Sequence, residues 1–424
     1  MYWLVEDESQ LNVLINSSYK KAFIEVIPFS NVIHPAQTHV SLVYIRPIEA
    51  TKGFMVCIAH SESLNALNTG IDKLLKKFEI LYCRDKKETL HYFPNLSKSL
   101  YDITPPPTTY IRPTTQTHEL YYRQHKDNHE LNLIIPIVKH YEICETIWGD
   151  LKANINNEKS KYNEFYNNKV SLVFNAIEQS GIRIHNETFE EYFHPVDGEY
   201  VYTQFNLKTT TTRPSNKFKN VNYAALNKEN GCRKSFIPRN NRFVEIDISA
   251  YHPSLAARLT NYEFATNDIH SHFATLYNVD YKKSKELTFK QLYGGVFESY
   301  KKLEFFQGIE KYVGDNWKKF QSDGFIECPV SGYRYEKEKL QNMNPQKLFN
   351  YVLQNLETSM NVRILWDMFC ILKNCKTKLV LYTYDSFLFD LDDNEKNILE
   401  EIKNVFKKYK LNIKEIEGYD YDFK

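Results

Sequence analysis

Short apolar runs alternate with polar loops over the first 120 or so positions of the sequence. "AFIEVIP", "HVSLVYIRP" and "GFMVCIAH" read as strands, with Pro or polar clusters between them. In "NALNTGIDKLLKKFE" the spacing becomes that of a helix, and "ILYC" returns to strand. Three strands, a helix and a strand predict an α/β layer domain. "TPPPTTYIRPTTQTH" at 104–118 suits neither a regular helix nor a central strand, so a linker or surface wrap is expected. From about 130 to 180 the pattern is helical, and "NKVSLVFNAIEQSG" stops at Gly181. Beyond it, the strands "RFVEIDIS" and "KLVLYTYDSFLFDL" alternate with the helices "SKELTFKQLYGG" and "NPQKLFNYVLQNLETSMNVRILWDMFCILK". There is no internal repeat.

Length turns this pattern into two or three domains, because 424 residues can fill several cores. The formal charge of +1 argues against a strongly basic tail, yet a local basic groove remains compatible with it. Seven scattered cysteines form no CxxC and no Cys/His cluster, which predicts reduced thiols and no zinc site. "MYWLVEDESQ" lacks the basic start and apolar stretch of a signal peptide, and no run of about eighteen apolar residues exists. A cytoplasmic protein without membrane partners is expected. Heavy use of Lys and Asn points to an AT-rich coding genome.

Two acids break the strand pattern. Asp247 ends the apolar run "RFVEIDIS", and Asp385 sits in a tight turn between two apolar arms. An acid at a strand end more often caps or turns the chain. A core strand tolerates one only with a partner, water or a metal. Two such acids at one sheet edge could hold two divalent ions roughly 3.5–4 Å apart. Mg²⁺ suits such a site through its preference for hard oxygen ligands and its open positions for phosphate, and Mn²⁺ could serve there too.

"DISAYHPSLAARL" resembles the first carboxylate motif of family A DNA polymerases, the group of bacterial DNA polymerase I, and "YTYDSFLFD" resembles the second. "NDIHSHFATLY" is similar to the family's Asp-Ile-His segment, and "KELTFKQLYGG" to its fingers helix, with Lys285, Phe289 and Tyr293 in register. Upstream, "TQFNLKTTTTRPSNKFKNVNYAAL" places Arg213, Ser215, Asn220 and Asn222 where the family has its Thr, Arg and Ser stretch, and "GCRKSFIP" continues the match. "NYVLQ" reproduces its Asn and Gln at Asn350 and Gln354, and "VFNAIEQSGIRIH" looks like the helix leading into the thumb. The motifs keep the family's order over roughly 170–424.

The resemblance implies a mixed α+β and α/β fold: a right-hand palm and fingers with a much reduced thumb, preceded by a ribonuclease-H-like exonuclease-type domain. It implies domains at 1–125 (degenerate exonuclease-like), 126–200 (helical connector and vestigial thumb) and 201–424 (palm and fingers, the fingers at about 262–325). It implies a template-directed DNA polymerase acting on a DNA primer-template and dNTPs with two Mg²⁺ ions; a compact polymerase in an AT-rich code points to a phage or other mobile element, and so to the host cytoplasm. Asp247, Asp385 and the Ile248 carbonyl would hold the metals, and Lys285 and His270 would meet the triphosphate. Phe289 and Tyr293 would meet base and sugar, and Arg213, Ser215, Asn220, Asn222, Asn350, Gln354 and Tyr384 primer and template. Positions 285, 289 and 293 share one helix face by spacing alone.

Five departures from the family qualify this. Tyr281 stands where it has an Arg, four residues before Lys285. Tyr384 replaces its His and Ser386 its Glu around the second carboxylate. The thumb between "GIRIHNETFEEYFH" and "YVYTQFNLKT" is nearly absent, which predicts distributive synthesis or a processivity partner in its place. "AFIEVIP" carries Glu25 alone where two acids belong, so no proofreading is expected. At His252 the family has a Glu that excludes ribose, and a large His there favours dNTPs. A single-subunit RNA polymerase or primase-like enzyme is the alternative within this palm. A non-catalytic nucleic-acid-binding protein is the alternative outside it, opposed by the presence of both acids.

Overall fold

The computed structural model describes residues 2–63, 67, 70–106, 116–128, 130–157, 160–218, 221–266 and 268–423, the side chains of 116–119 and 217–218 excepted. Much of the 104–118 stretch, and Asn220, lie outside the described residues. The chain forms two compact units, Met1–Gln179 and Ser180–Lys424. The boundary at 179/180 differs from the expected ones at 125 and 200, because the helices after residue 130 pack within the first unit.

The first unit is built on six strands: β1 (Trp3–Val5), β2 (Lys21–Pro28), β3 (Val40–Pro47), β4 (Phe54–Cys57), β5 (Ile80–Cys83) and β6 (Leu100–Asp102). Their order is β1-β4-β3-β2-β5-β6. The pairs β2/β3 and β3/β4 are antiparallel, and β1/β4, β2/β5 and β5/β6 are parallel. β2 is buried along nearly its whole length because both sheet faces are covered. Ala22, Ile24 and Val26 face one apolar layer. Phe23 and Ile27 face another, which Ile143, Ile147 and Trp148 complete. The helices of this unit include α1 (Lys86–Tyr92), α2 (Ile137–Leu151) and α3 (Ser171–Ser180). α3 ends at Gly181, whose φ of 63° suits the left-handed residue after a helix.

The second unit centres on an antiparallel sheet of β7 (Arg242–Ile248), β8 (Lys378–Thr383), β9 (Ser386–Leu391) and β10 (Ile413–Gly418), in the order β8-β9-β7-β10. β7 lies between two neighbours, so Phe243, Val244 and Ile246 are fully buried. Period-two alternation puts Phe243, Glu245 and Asp247 on one face. Around the sheet run α4 (Tyr251–Thr260), α5 (Ile269–Tyr277), α6 (Tyr281–Gly294), α7 (Glu304–Asp323), α8 (Pro345–Leu372) and α9 (Ile398–Lys408). Asn344 caps α8 by accepting from the Lys347 N–H at 2.8 Å, and the helix then runs unbroken over 28 residues. No helix among the described residues is long and apolar enough to cross a membrane.

Candidate active site

Strand register brings the two acids together. Asp247 lies opposite Ser386 across β7 and β9, and the Ile248 N–H donates to the Asp385 carbonyl at 2.8 Å. Asp385 occupies the two-residue turn between β8 and β9, next to Tyr384 with φ of 61°. On the other side, Ala250 takes φ of 48° where β7 passes into α4. A non-glycine residue held in that region costs on the order of 1–3 kcal/mol, so the surrounding contacts must enforce it. Asn361 of α8 does this for the turn. Its amide donates to the Tyr384 carbonyl at 2.7 Å and to the Tyr382 hydroxyl at 2.8 Å. Its oxygen accepts from the Tyr251 hydroxyl at 2.9 Å.

Asp385 is exposed as a residue, yet protein crowds its carboxyl enough to desolvate it. Desolvation pushes its pKa up, and the charges of Glu357 and Asp247 add to that. A cation between these acids would relieve the repulsion. One strand over, buried Glu245 accepts from Ser386 Oγ at 2.6 Å and from the Tyr421 hydroxyl at 3.2 Å. A carboxylate is therefore present beside position 386, although it comes from the facing strand.

These groups line a cavity of about 790 Å³. One wall is the α6 face of Tyr281, Lys285, Phe289 and Tyr293, spaced four residues apart, so the expected shared face extends one turn further back. The Phe289 and Tyr293 rings stack, with centroids 5.9 Å apart and planes 15° apart. His270, in the first turn of α5, packs against Tyr281 and Phe289. Its burial, and then the nearby Lys285 charge, lower its pKa, which keeps the ring neutral. His270 Nδ1 is buried and has no hydrogen-bond partner among the described residues. Lys414 faces Asp247 across β7 and β10 and also lines the cavity.

Arg213 also lines the cavity, its guanidinium stacked on the Tyr384 ring at 3.7 Å. Its loop is tied to α8 through Asn355, whose amide donates to Thr212 Oγ1 at 2.7 Å. Arg213 Nε lies 3.0 Å from Glu357 Oε2, and His252 Nε2 lies 3.3 Å from the same oxygen. The other nitrogen of His252 is 2.5 Å from the Tyr293 hydroxyl.

Arg213, Asp247, Ile248, His252, His270, Lys285, Phe289, Tyr293, Tyr384 and Asp385 thus line one cavity, as their assignment to one site requires. Four other candidates do not line it. Ser215 and Asn222 are exposed on short strands. Asn350 donates to the Tyr293 carbonyl at 3.1 Å, and so holds the last turn of α6. Gln354 follows one turn later on α8, half-buried. Sequence reasoning missed Glu357, Glu245 and Asn361. Glu357 lies seven residues beyond Asn350 on α8, in the mixed stretch LQNLETSMN, where a charge interrupts no pattern and so gives no sequence signal.

No protein-family profile matches the chain, and no curated protein matches it in sequence. Among solved structures it is similar to the POL domain of Pol1 from M. smegmatis, determined in complex with DNA primer-template and dNTP. The TM-score is 0.71 over 99% of each chain, at 12% identity. The chain has the mixed α/β fold of a polymerase domain. The likeness to family A polymerases read in its motifs is borne out at the level of fold.

Proposed function

We propose that the chain is a template-directed DNA polymerase that adds dNTPs to a primer 3′ end. The observation that carries this is the meeting of two strand-edge carboxylates with the Lys285, Phe289 and Tyr293 face in one cavity, on a polymerase fold. The donor set fits a pair of Mg²⁺ ions. Among the described residues no group of three or more His, Cys, Asp or Glu could hold a metal. Mg²⁺ asks for less, since it binds through one or two carboxylates plus substrate phosphates and keeps its waters. Asp247, Asp385 and the Ile248 carbonyl would hold the ions, which supply charge neutralisation on the attacking and leaving oxygens. Mn²⁺ suits the same oxygens.

Lys285 then meets the triphosphate, and neutral His270 offers its imidazole to a phosphate oxygen. Phe289 and Tyr293 give the incoming base a stacking surface, and His252 stands against the sugar. Arg213, braced on Tyr384, faces the primer end, where minor-groove acceptors common to all pairs let it test geometry.

For the first unit, the order of three antiparallel strands followed by two parallel ones supports the ribonuclease-H-like reading. Its acids are engaged within the fold. Glu25 pairs with Arg84 at 3.1 Å. Asp102 accepts from the Lys86 and Thr104 N–H groups at 3.1 and 2.7 Å. That supports a polymerase without 3′–5′ excision. Between Glu190 and Tyr200 the described residues form no helix, which supports a reduced thumb and distributive extension, or a partner in the thumb's place. Primer extension that requires a divalent ion and is lost in Asp385→Ala tests the central reading.

A further inference from the structure

Four segments of the second unit deliver Arg213, His252, Tyr293 and Glu357 to one corner of the cavity. Glu357 is at the centre and only 3% exposed. A buried carboxylate is costly unless its partners are well placed. Here Glu357 Oε2 lies 3.0 Å from Arg213 Nε and 3.3 Å from His252 Nε2, all three atoms buried, and Glu357 Oε1 accepts from Arg213 Nη2 at 3.5 Å. An apolar side chain, like Leu353, Leu356 and Met360 nearby on α8, would stabilise the free chain more simply. The arrangement therefore calls for a purpose other than stability.

That purpose lies in what Glu357 imposes on His252. The imidazole is 6% exposed and both its nitrogens face a group. A carboxylate facing Nε2 orients the ring by accepting from a proton there. Nδ1, on the other side of the ring, then meets the Tyr293 hydroxyl at 2.5 Å. Glu357 thus fixes the ring of His252 and, through it, the hydroxyl of Tyr293. α8, α4 and α6 are tied together across the face where the sugar of a nucleotide would lie.

We infer that Glu357 is a specificity-determining positioning residue: it locks His252 and Tyr293 into a wall that leaves no room for a 2′-hydroxyl. This rests on the polymerase reading above. Single-nucleotide insertion with each dNTP and its rNTP counterpart tests it, in the wild-type chain, E357Q, E357A, H252A and the E357A/H252A double variant.

E357A and H252A are each expected to raise the rNTP-to-dNTP ratio of kcat/KM by about tenfold or more, chiefly through a lower KM for the rNTP. The double variant is expected to go no further than the larger single one, because both remove the same wall. E357Q keeps an acceptor for His252 Nε2 and should discriminate better than E357A. If E357A does not fold, E357Q decides: it should raise the ratio by about threefold alone and not at all in the H252A background. A ratio within about twofold of wild type in an active E357A, or the same effect of E357Q with and without His252, overturns the inference. A wild-type chain that inserts neither nucleotide overturns the polymerase reading and this inference with it.

Discussion

Asn361 engages three tyrosines through one side-chain amide: the backbone of Tyr384 and the hydroxyls of Tyr382 and Tyr251. It does not line the cavity, yet it holds the turn of Tyr384, with its φ of 61°, that carries Asp385. Asn361→Ala should leave buried polar groups unpaired and destabilise the second unit by about 1–3 kcal/mol. The turn should then relax, so kcat should fall while KM for the dNTP changes little. Denaturant unfolding with steady-state extension checks both, and a loss of stability with kcat intact would remove Asn361 from the site. At this scale the sequence was legible where chemistry interrupts a simple pattern. Asp247 and Asp385 stand out because acids break apolar runs. Asn361 and Glu357 do not, because α8 is buried on most sides and its polar residues follow no single stripe. The partners that give them meaning lie far off in the chain.

Among the elements, α6 was the most legible. Its cavity face follows from four-residue spacing, and its start from Asp280, which accepts from the Lys283 N–H at 2.9 Å. What holds its far end was not legible: Gln346 and Asn350 of α8 donate to the Leu292 and Tyr293 carbonyls, which no intrahelical bond satisfies. In the first unit, α1 and α3 are joined by a buried cluster. Lys87 Nζ lies 2.6 Å from Glu178 Oε1, and His91 Nε2 lies 2.8 Å from Glu178 Oε2. Burial alone would raise the Glu178 pKa, but Lys87 and His91 outweigh it and hold the carboxyl below its ordinary value. The folded pKa is thus below the unfolded one. The stability this contributes is present above the ordinary glutamate range and is lost as pH falls through the folded value. Glu178→Gln should cost about 3 kcal/mol at neutral pH and flatten the decline below about pH 4. Thermal unfolding across pH measures it, and parallel curves for both proteins would contradict the pairing.

At the scale of the whole molecule, the strands and long helices were largely readable, but the division at 179/180 was not. A helical stretch such as 130–180 looks the same in sequence whether it links domains or covers a sheet. Its apolar residues complete the layer beneath Phe23 and Tyr44, which spacing cannot reveal. The short passage after Glu190 and the engaged acids Glu25 and Asp102 make one joint prediction. With end-labelled primer and excess trap DNA, the chain alone should add few nucleotides per encounter and should yield no product shorter than the primer. Long single-encounter products would contradict the first, and excision abolished by changing Glu25 or Asp102 the second. The central claim is that Asp247 and Asp385 form a metal-dependent nucleotidyl-transfer site. Primer extension in Mg²⁺, with dNTPs and rNTPs side by side, tests it most directly. The wild-type chain should extend with dNTPs, and Asp247→Ala and Asp385→Ala should each lower the rate by about a thousandfold or more. Extension that persists in either variant, or none by the wild-type chain, would contradict it.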